Sequence, residues 1–233
     1  MILIQIAYLI CAYLIGSIPY MLLLSRARGF DLTGEPDFHI AMYRKFGRLE
    51  GASGIFVDFA KGIISVLAGY YAHFDLGFVA AAAVVVTCGQ MWPVFQKFNG
   101  EKGNTTGMGA CATMLIAYGA GMVFYVGIGI MIIGFLVRTI PRFVAAKTWR
   151  ERFGFGGPAS NSLPLGILLG FATMPALAAL MHIRIEIILS LLCIFLVIVI
   201  RRLTAGIRHD MKEPRSSKSS ILFNRLFFDR SYY

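Results

Sequence analysis

Long runs of apolar residues constrain the fold of this chain more than any other feature of its sequence. A helix that crosses a bilayer needs about 20 mostly apolar residues, because roughly 30 Å of hydrocarbon offers no partners to backbone polar groups. The sequence contains seven candidate segments, of which the fourth is short and weak. The segments are residues 3–24, 52–72, 76–95, 104–118, 120–137, 162–181 and 185–200. The chain is therefore predicted to be an all-α integral membrane protein with about seven transmembrane helices.

The amino-acid composition supports the same class of protein. Hydrophobic residues make up 58% of the chain and charged residues 15%, whereas soluble proteins usually carry about 25% charged residues. The net charge of +10 is attributed to membrane topology and suits contact with anionic lipid. A lipid bilayer is thus the expected partner, and no nucleic acid is expected. The cysteines and histidines lack the paired spacing of metal sites, so neither a metal nor another cofactor is predicted.

Lysine and arginine are concentrated in alternate loops, as expected when basic residues stay on the cytoplasmic side. The six loops between the segments contain five, none, two, none, five and one of these residues, and the tail contains eight. This alternation predicts an N-terminus outside the cell and a cytoplasmic C-terminus. We expect a transmembrane domain over residues 1–205 in the plasma (inner) membrane, with a cytoplasmic active face. The basic and aromatic tail, residues 206–233, is expected to be cytoplasmic and to rest at the membrane interface.

A glycine-rich basic loop, "FQKFNGEKGNTTGMG", separates two of the apolar segments. Its glycines permit close backbone approach, and the polar residues after Lys102 fall where the next helix would begin. Free backbone N–H groups at a helix N-terminus bind phosphate or carboxylate groups. The alternative interpretation is a flexible turn that is capped by Asn104. The candidate anion-binding residues are Gly100, Lys102, Gly103, Asn104, Thr105 and Thr106.

The motif "VDFAKG" places two opposite charges inside an apolar segment. Asp58 and Lys61 are three residues apart and share one helix face, and a charge at the bilayer centre costs about 2.5 to 3.5 kcal/mol on insertion scales. Both side chains are therefore expected to face protein or water. They form either a structural ion pair between helices or part of a functional site.

Two further loops carry candidate residues. In the first loop, Arg44 with Lys45 and Arg48 either clamps a phosphate, for which arginine is the better bidentate partner, or only fixes the topology. His39 in the same loop is interpreted as a solvated residue and not as a general base. Ser162, at the start of the sixth segment, is expected either to cap a helix or to donate to a ligand.

Three stretches together resemble the bacterial PlsY family, the acyl-phosphate:glycerol-3-phosphate acyltransferases. The opening "AYLIGSIPYMLLL" with "RGFDL" resembles the family's first helix and the start of its first motif. "VDFAKG" is similar to its Asp-x-x-Lys-Gly segment. "GQMWPVFQKFNGEKGNTTGMG" looks like its Gly-His-x-x-Pro-Val-Phe motif followed by Gly-Gly-Lys-Gly-x-x-Thr. The resemblance covers roughly residues 7 to 110 and is weak beyond residue 140.

This chain departs from the family pattern at several positions. Gln90 stands where the family has His, and Glu101 stands where it has the second Gly of the glycine-rich loop. Glu35 falls where the first motif has a serine, whereas Arg44 matches that motif's Arg. The closing segment "RRLTAGIRHD" matches only in its arginines. Because carboxylates near a phosphate site repel the ligand, the true acceptor stays open.

The resemblance implies a membrane acyltransferase of phospholipid synthesis. Such an enzyme moves an acyl chain from acyl phosphate to the 1-hydroxyl of glycerol 3-phosphate and yields lysophosphatidic acid. Lys102 and Arg44 would be its catalytic cations. The implied substrate-binding residues are Gly100, Gly103, Asn104, Thr105, Thr106, Asp58, Lys61 and Ser162. The alternatives are a divergent relative that has lost this activity or uses another acceptor, and a transporter of small solutes or anions.

Overall fold

The computed structural model describes residues 2–32, 35, 38–148, 160–212 and 217–230. Regular structure in these ranges is helical throughout, which confirms the all-α prediction for the described part of the chain. The helices are α1 (Ile2–Ser17), α2 (Tyr20–Ala27), α3 (Phe38–Phe46), α4 (Arg48–Tyr71), α5 (Leu76–Met91), α6 (Asn104–Ala117), α7 (Gly121–Ala145), α8 (Ser162–Leu180), α9 (Ile185–Thr204), α10 (Ile207–Lys212) and α11 (Lys218–Phe228), with a 3₁₀ turn at Val94–Gln96 after α5. They fall into two compact units, α1 to α6 and α7 to α11.

Among the described residues, five helices are long and apolar enough to cross a bilayer, namely α4, α5 with its 3₁₀ turn, α7, α8 and α9. The pair α1 and α2 would provide a sixth span if it is counted as one bent element. Helix α6 coincides with the predicted fourth segment but has only 14 residues. At 1.5 Å per residue it is about 21 Å long, less than the hydrocarbon thickness of about 30 Å. The count of seven spans and the orientation of the termini remain predictions.

The first predicted span, residues 3–24, is not one continuous helix. Helix α1 ends at Ser17 and α2 begins at Tyr20, with a bend of 44° between them. Pro19 accounts for the break, because proline lacks a backbone N–H and its ring disfavours helical geometry at the preceding residue, Ile18. Ile18 lies outside both helices, and its carbonyl oxygen accepts from the Tyr20 N–H at 3.0 Å. A carbonyl oxygen has two lone pairs, so it can also accept from another helix.

Small residues bring the helices of the first unit into close backbone contact. A Cβ added to Gly16 on α1 would overlap the Val86 carbonyl oxygen on α5. A Cβ added to Gly62 on α4 would overlap backbone atoms of α6, including the Ala110 nitrogen at 2.5 Å. Close approach at small residues is a common means of packing helices within membranes. The backbone of α4 from Phe59 to Gly62 therefore lies directly against the first turns of α6.

The first loop contains a helix that the sequence analysis did not predict. Helix α3 packs against α4, where Gly54 makes room for the His39 ring. Its Ala41 and Met42 are buried in a small apolar cluster with Met21 and Leu32. Much of this loop is therefore folded onto the first unit, and α3 carries both His39 and Arg44.

The second unit is built on the contact between α7 and α8, with α9 and α11 packed on α8. Helix α11 is anchored by Ile221, which is fully buried, and by an ion pair between Arg225 and Asp210. Arg202 of α9 donates to the Leu226 carbonyl oxygen at 3.1 Å. The tail predicted over residues 206–233 thus packs on its own unit through α11. Residues 213–216 and 231–233 of that tail lie outside the described ranges.

Candidate functional site

A buried ion pair forms the base of the candidate site. The Lys61 Nζ lies 2.8 Å from the Asp58 Oδ1, and both residues are less than 5% exposed. The same ammonium donates to the Gln90 Oε1 at 2.6 Å and to the Ile18 carbonyl oxygen at 2.8 Å. A lysine ammonium has three donor positions, so Lys61 is fully satisfied by α4, α5 and the break after α1. This geometry joins three elements of the first unit through one positive charge.

His39 and Glu101 extend this ion pair into a network of five side chains. The His39 Nε2 lies 3.5 Å from the Asp58 Oδ2 and 3.3 Å from the Glu101 Oε2. The Gln90 Nε2 donates to the same Glu101 oxygen at 3.3 Å. The side chains of His39 and Glu101 are 17% and 25% exposed, so the network runs from the buried pair towards the surface. The sequence interpretation of His39 as a solvated loop residue is wrong.

The surroundings of His39 favour its charged form. Burial by itself lowers the pKa of His39, but the hydrogen-bonding and charged carboxylates of Asp58 and Glu101 outweigh burial and raise the pKa to about 10. The two carboxylates thus favour the imidazolium form of His39, whose Nε2 faces both of them. With His39 protonated, the two cations of the network balance its two carboxylates.

The glycine-rich loop folds back onto the end of α5. The Gly100 backbone N–H donates to the Met91 carbonyl oxygen and the Glu101 N–H to that of Gln90, both at 3.2 Å. Gly103, with φ +70°, turns the chain into α6, which begins at Asn104 as predicted. Within the part of the chain that the structure describes, no side chain caps this helix start. The first turn of α6 therefore presents backbone N–H groups without a capping side chain, which is the geometry that binds anions.

The predicted threonines differ in their surroundings. Thr106 is fully buried, and its hydroxyl donates to the Asp58 carbonyl oxygen at 2.9 Å. This hydrogen bond joins α6 to α4 beneath the network. Thr105 is partly exposed on the first turn of α6. The Asn104 Oδ1 is buried and has no hydrogen-bond partner among the described residues.

The two predicted catalytic cations lie on elements that meet through the contact of His39 with Glu101. Arg44 and Lys102 are both exposed, on α3 and on the glycine-rich loop. His39 lies about 7.5 Å from Arg44 along the axis of α3, at 1.5 Å per residue, and Glu101 directly precedes Lys102 in the chain. The contact between His39 and Glu101 therefore joins the element that carries Arg44 to the element that carries Lys102.

The remaining predicted residue, Ser162, is the first residue of α8 in the second unit. The preceding Asn161 accepts a hydrogen bond from Arg230. The N-cap position belongs to Asn161, and no side-chain capping bond is made there among the described residues. The expectation that Ser162 caps the helix is therefore wrong, and its contact with a ligand stays a prediction.

The fold and the site together define a polytopic helical membrane protein with a charge-balanced network and a basic, glycine-rich loop at one end. A sequence profile described as glycerol-3-phosphate acyltransferase matches residues 6–210. The chain therefore belongs to the glycerol-3-phosphate acyltransferase family. The resemblance to PlsY that the sequence motifs indicate is confirmed.

Relatives from bacteria show how far the similarity extends. Glycerol-3-phosphate acyltransferase 4 of Dehalococcoides mccartyi strain CBDB1 is 25% identical over 228 residues, which cover 94% of this chain and 85% of that protein. The glycerol-3-phosphate acyltransferase of Pasteurella multocida strain Pm70 is 39% identical over 114 residues, which cover 46% of this chain and 55% of that protein. The similarity is thus highest over part of the chain.

A solved structure shares the fold. The crystal structure of PlsY (YgiH), an integral membrane glycerol 3-phosphate acyltransferase, in its glycerol 3-phosphate form aligns with a TM-score of 0.65 and 19% identity. The alignment covers 91% of this chain and 94% of that chain. This similarity supports an all-helical, multi-pass integral membrane fold.

Sequence reasoning missed His39 and Glu101 as partners. Phe38, Ala41, Met42 and Phe46 recur at the spacing of an amphipathic helix, so the sequence did contain a signal for α3. The pairing itself required the folded positions of α3, α4 and the glycine-rich loop.

Proposed function

We propose that this chain transfers an acyl group from acyl phosphate to the 1-hydroxyl of glycerol 3-phosphate. The hydroxyl oxygen forms a bond to the acyl carbonyl carbon, and the bond between that carbon and the phosphate oxygen breaks. The hydroxyl proton ends on the released inorganic phosphate, and the lipid product is lysophosphatidic acid. An acyl phosphate is already activated, so no covalent enzyme intermediate is required. Positioning of the two substrates and stabilisation of negative charge supply the catalysis.

Membership of the glycerol-3-phosphate acyltransferase family is the observation that carries this proposal. The uncapped start of α6 supports the location of the phosphate site, together with the flanking cations. Lys102 and Arg44 hold the phosphate groups of the substrates and offset the charge of the leaving phosphate. Gly100 and Gly103 let the backbone approach these groups, and backbone and side-chain donors at Asn104 and Thr105 complete the site.

Asp58, Lys61 and Thr106 support the site from beneath. Their polar atoms are engaged with protein partners, since Lys61 makes three hydrogen bonds and Thr106 donates to Asp58. Their hydrogen bonds hold α4, α5 and α6 together beneath the glycine-rich loop. Ser162 is kept as a further candidate for contact with substrate.

The proposed placement in the membrane follows from the alternation of basic loops. The chain spans the plasma (inner) membrane seven times, with the N-terminus outside and the active face in the cytoplasm. The basic residues that flank the candidate site would lie on the cytoplasmic side, where lysine and arginine are concentrated in membrane proteins. The acyl chain is accommodated between apolar helices, and the tail over residues 206–233 rests on the membrane surface.

The test is an assay of the purified protein in detergent micelles with acyl phosphate and glycerol 3-phosphate. We expect release of inorganic phosphate and formation of lysophosphatidic acid in equal amounts, both dependent on the acceptor. Parallel reactions with other phosphorylated alcohols establish which acceptor is preferred. Folded protein that releases no phosphate with any acceptor would contradict the proposal. Phosphate release without a lipid product would indicate hydrolysis instead of transfer.

A further inference from the structure

The contact between His39 and Glu101 joins two segments of the first unit that are far apart in the sequence. Helix α3 follows the first apolar pair, and Glu101 lies on the glycine-rich loop just before α6. Their side chains meet at 3.3 Å, and Asp58 of α4 faces the same imidazole at 3.5 Å. One imidazole therefore holds the loop and α4 at once.

The net charge of the network depends on the protonation of His39. Asp58 faces the imidazole from α4 through Oδ2, and its Oδ1 binds Lys61. Glu101 faces the imidazole from the loop. The remaining neighbour of Glu101 in the network, Gln90 of α5, is neutral. A charged His39 leaves the network with no net charge, whereas a neutral His39 leaves one net negative charge next to Lys102. That negative charge would oppose the binding of an anion.

We propose that His39 and Glu101 form a positioning ion pair, which holds α3 against the glycine-rich loop so that Arg44 and Lys102 bind one phosphorylated ligand together. This inference rests on the proposed function and extends it to two residues that do not touch the substrate. His39 and Glu101 act through the placement of Arg44 and Lys102.

A purely electrostatic role predicts a different pattern of variants. If Glu101 acted only through its charge, Glu101→Gln would remove a negative charge from the site and improve the binding of glycerol 3-phosphate. If the pair acts as a link, His39→Gln and Glu101→Gln each break the same contact, and the double variant is no worse than either single variant. The sign of the Glu101→Gln effect therefore separates the two roles.

The first experiment is this double-mutant cycle, with kcat and KM for glycerol 3-phosphate measured in detergent micelles. A charge-assisted contact supports an increase in KM of about tenfold for each single variant, with a smaller change in kcat and no further increase in the double variant. His39→Lys keeps the positive charge and should recover part of the loss. A lower or unchanged KM for Glu101→Gln, or additive effects, would overturn the proposal.

Matched controls lie in the second unit. His182 is exposed, and Glu186 pairs with Arg184 at the protein surface. His182→Gln and Glu186→Gln introduce the same chemical changes away from the network and should leave KM unchanged. A comparable increase in KM for these controls would show that the assay reports a general effect of lost charge.

A second experiment does not depend on enzyme activity. Nuclear magnetic resonance of protein with labelled histidine follows the protonation of each imidazole with pH. We expect His39 to remain doubly protonated at pH 8, and Glu101→Gln to lower its titration midpoint. A wild-type midpoint near the ordinary histidine value of about 6.5 would overturn the proposal even if the enzyme transfers acyl groups. If His39 titrates as expected but the protein has no transferase activity, the ion pair is supported and only its link to catalysis is refuted.

A divalent cation is the competing occupant of the same position. Ligand atoms of His39, Asp58 and Glu101 lie within 4.8 Å of one another, and a cation would have to replace the imidazolium proton. We expect added Mn²⁺ or Zn²⁺ to change neither KM nor the His39 resonances in chelator-treated protein. A stoichiometric loss of the His39 proton with either metal would overturn the ion pair in favour of a metal site.

Discussion

The Lys61 Nζ lies 2.8 Å from the backbone carbonyl oxygen of Ile18, at the break between α1 and α2. The break at Pro19 leaves Ile18 between the two helices, where its oxygen accepts from the Tyr20 N–H and from the Lys61 ammonium of α4. The bend in the first apolar segment and the buried charge in the second are therefore parts of one arrangement. A charge that is costly inside a membrane becomes a fixed point for three helical elements.

Removing the Lys61 charge should destabilise the protein strongly. Lys61→Met leaves the buried Asp58 carboxylate without its closest cation, and breaking a buried pair in this way costs about 3 to 5 kcal/mol of unfolding free energy. The double variant Asp58→Asn/Lys61→Met removes both charges and should recover part of the loss. Denaturant unfolding in micelles measures both. A single variant as stable as wild type would contradict the structural role of the pair.

The close contact between α4 and α6 predicts a second effect on stability. Gly62→Val introduces atoms where the backbone of α6 already lies, so the helices must separate and the unfolding free energy should fall by about 1 to 3 kcal/mol. Gly129 is a matched control, because a Cβ there meets nothing within 4 Å. Thermal unfolding of Gly129→Val should resemble that of wild type, whereas equal losses in both variants would refute the packing argument.

The two threonines of α6 should separate stability from binding. Thr106→Val removes the hydroxyl that donates to the Asp58 carbonyl oxygen and should cost about 1 kcal/mol of stability, with KM for glycerol 3-phosphate unchanged. Thr105→Val should instead raise KM with little effect on stability. Melting temperature and steady-state kinetics distinguish the two. An increased KM for Thr106→Val but not for Thr105→Val would show that Thr106, and not Thr105, binds the substrate.

The charged state of His39 predicts a pH-dependent stability. Its folded-state pKa of about 10 exceeds the unfolded value of about 6.5, so the contribution is fully present below pH 6.5. It is lost as pH rises through about 10, because the folded state then releases the extra proton. The difference in melting temperature between wild type and His39→Gln should therefore shrink from pH 6 to pH 10. A difference that grows with pH would contradict the assignment.

The sequence predicted the parts of this arrangement that depend on local patterns. Helix α6 begins at Asn104, as predicted, because Gly103 turns the chain at a position where the next residues are polar. The apolar runs located α4, α5 and α9, and the spacing of Asp58 and Lys61 placed both on one helix face.

Other parts depend on tertiary contacts that no local pattern contains. Nothing in the spacing of His39 and Glu101 indicates that they meet, since α3 must first fold onto α4 at Gly54. Pro19 was visible in the sequence as a possible break, but the hydrogen bond from Lys61 to the Ile18 carbonyl oxygen was not. Thr105 and Thr106 are chemically identical neighbours, and only their positions on α6 separate the partly exposed residue from the buried one.

The most direct test of the account compares turnover in Lys102→Gln and Lys97→Gln. Both lysines are exposed and flank the same glycine-rich region, so each substitution removes the same charge from neighbouring positions. The account predicts that Lys102→Gln abolishes acyl transfer to glycerol 3-phosphate while the protein inserts and stays folded, and that Lys97→Gln retains near wild-type turnover. Unchanged turnover in folded Lys102→Gln would show that the loop is only a turn and would contradict the proposed site.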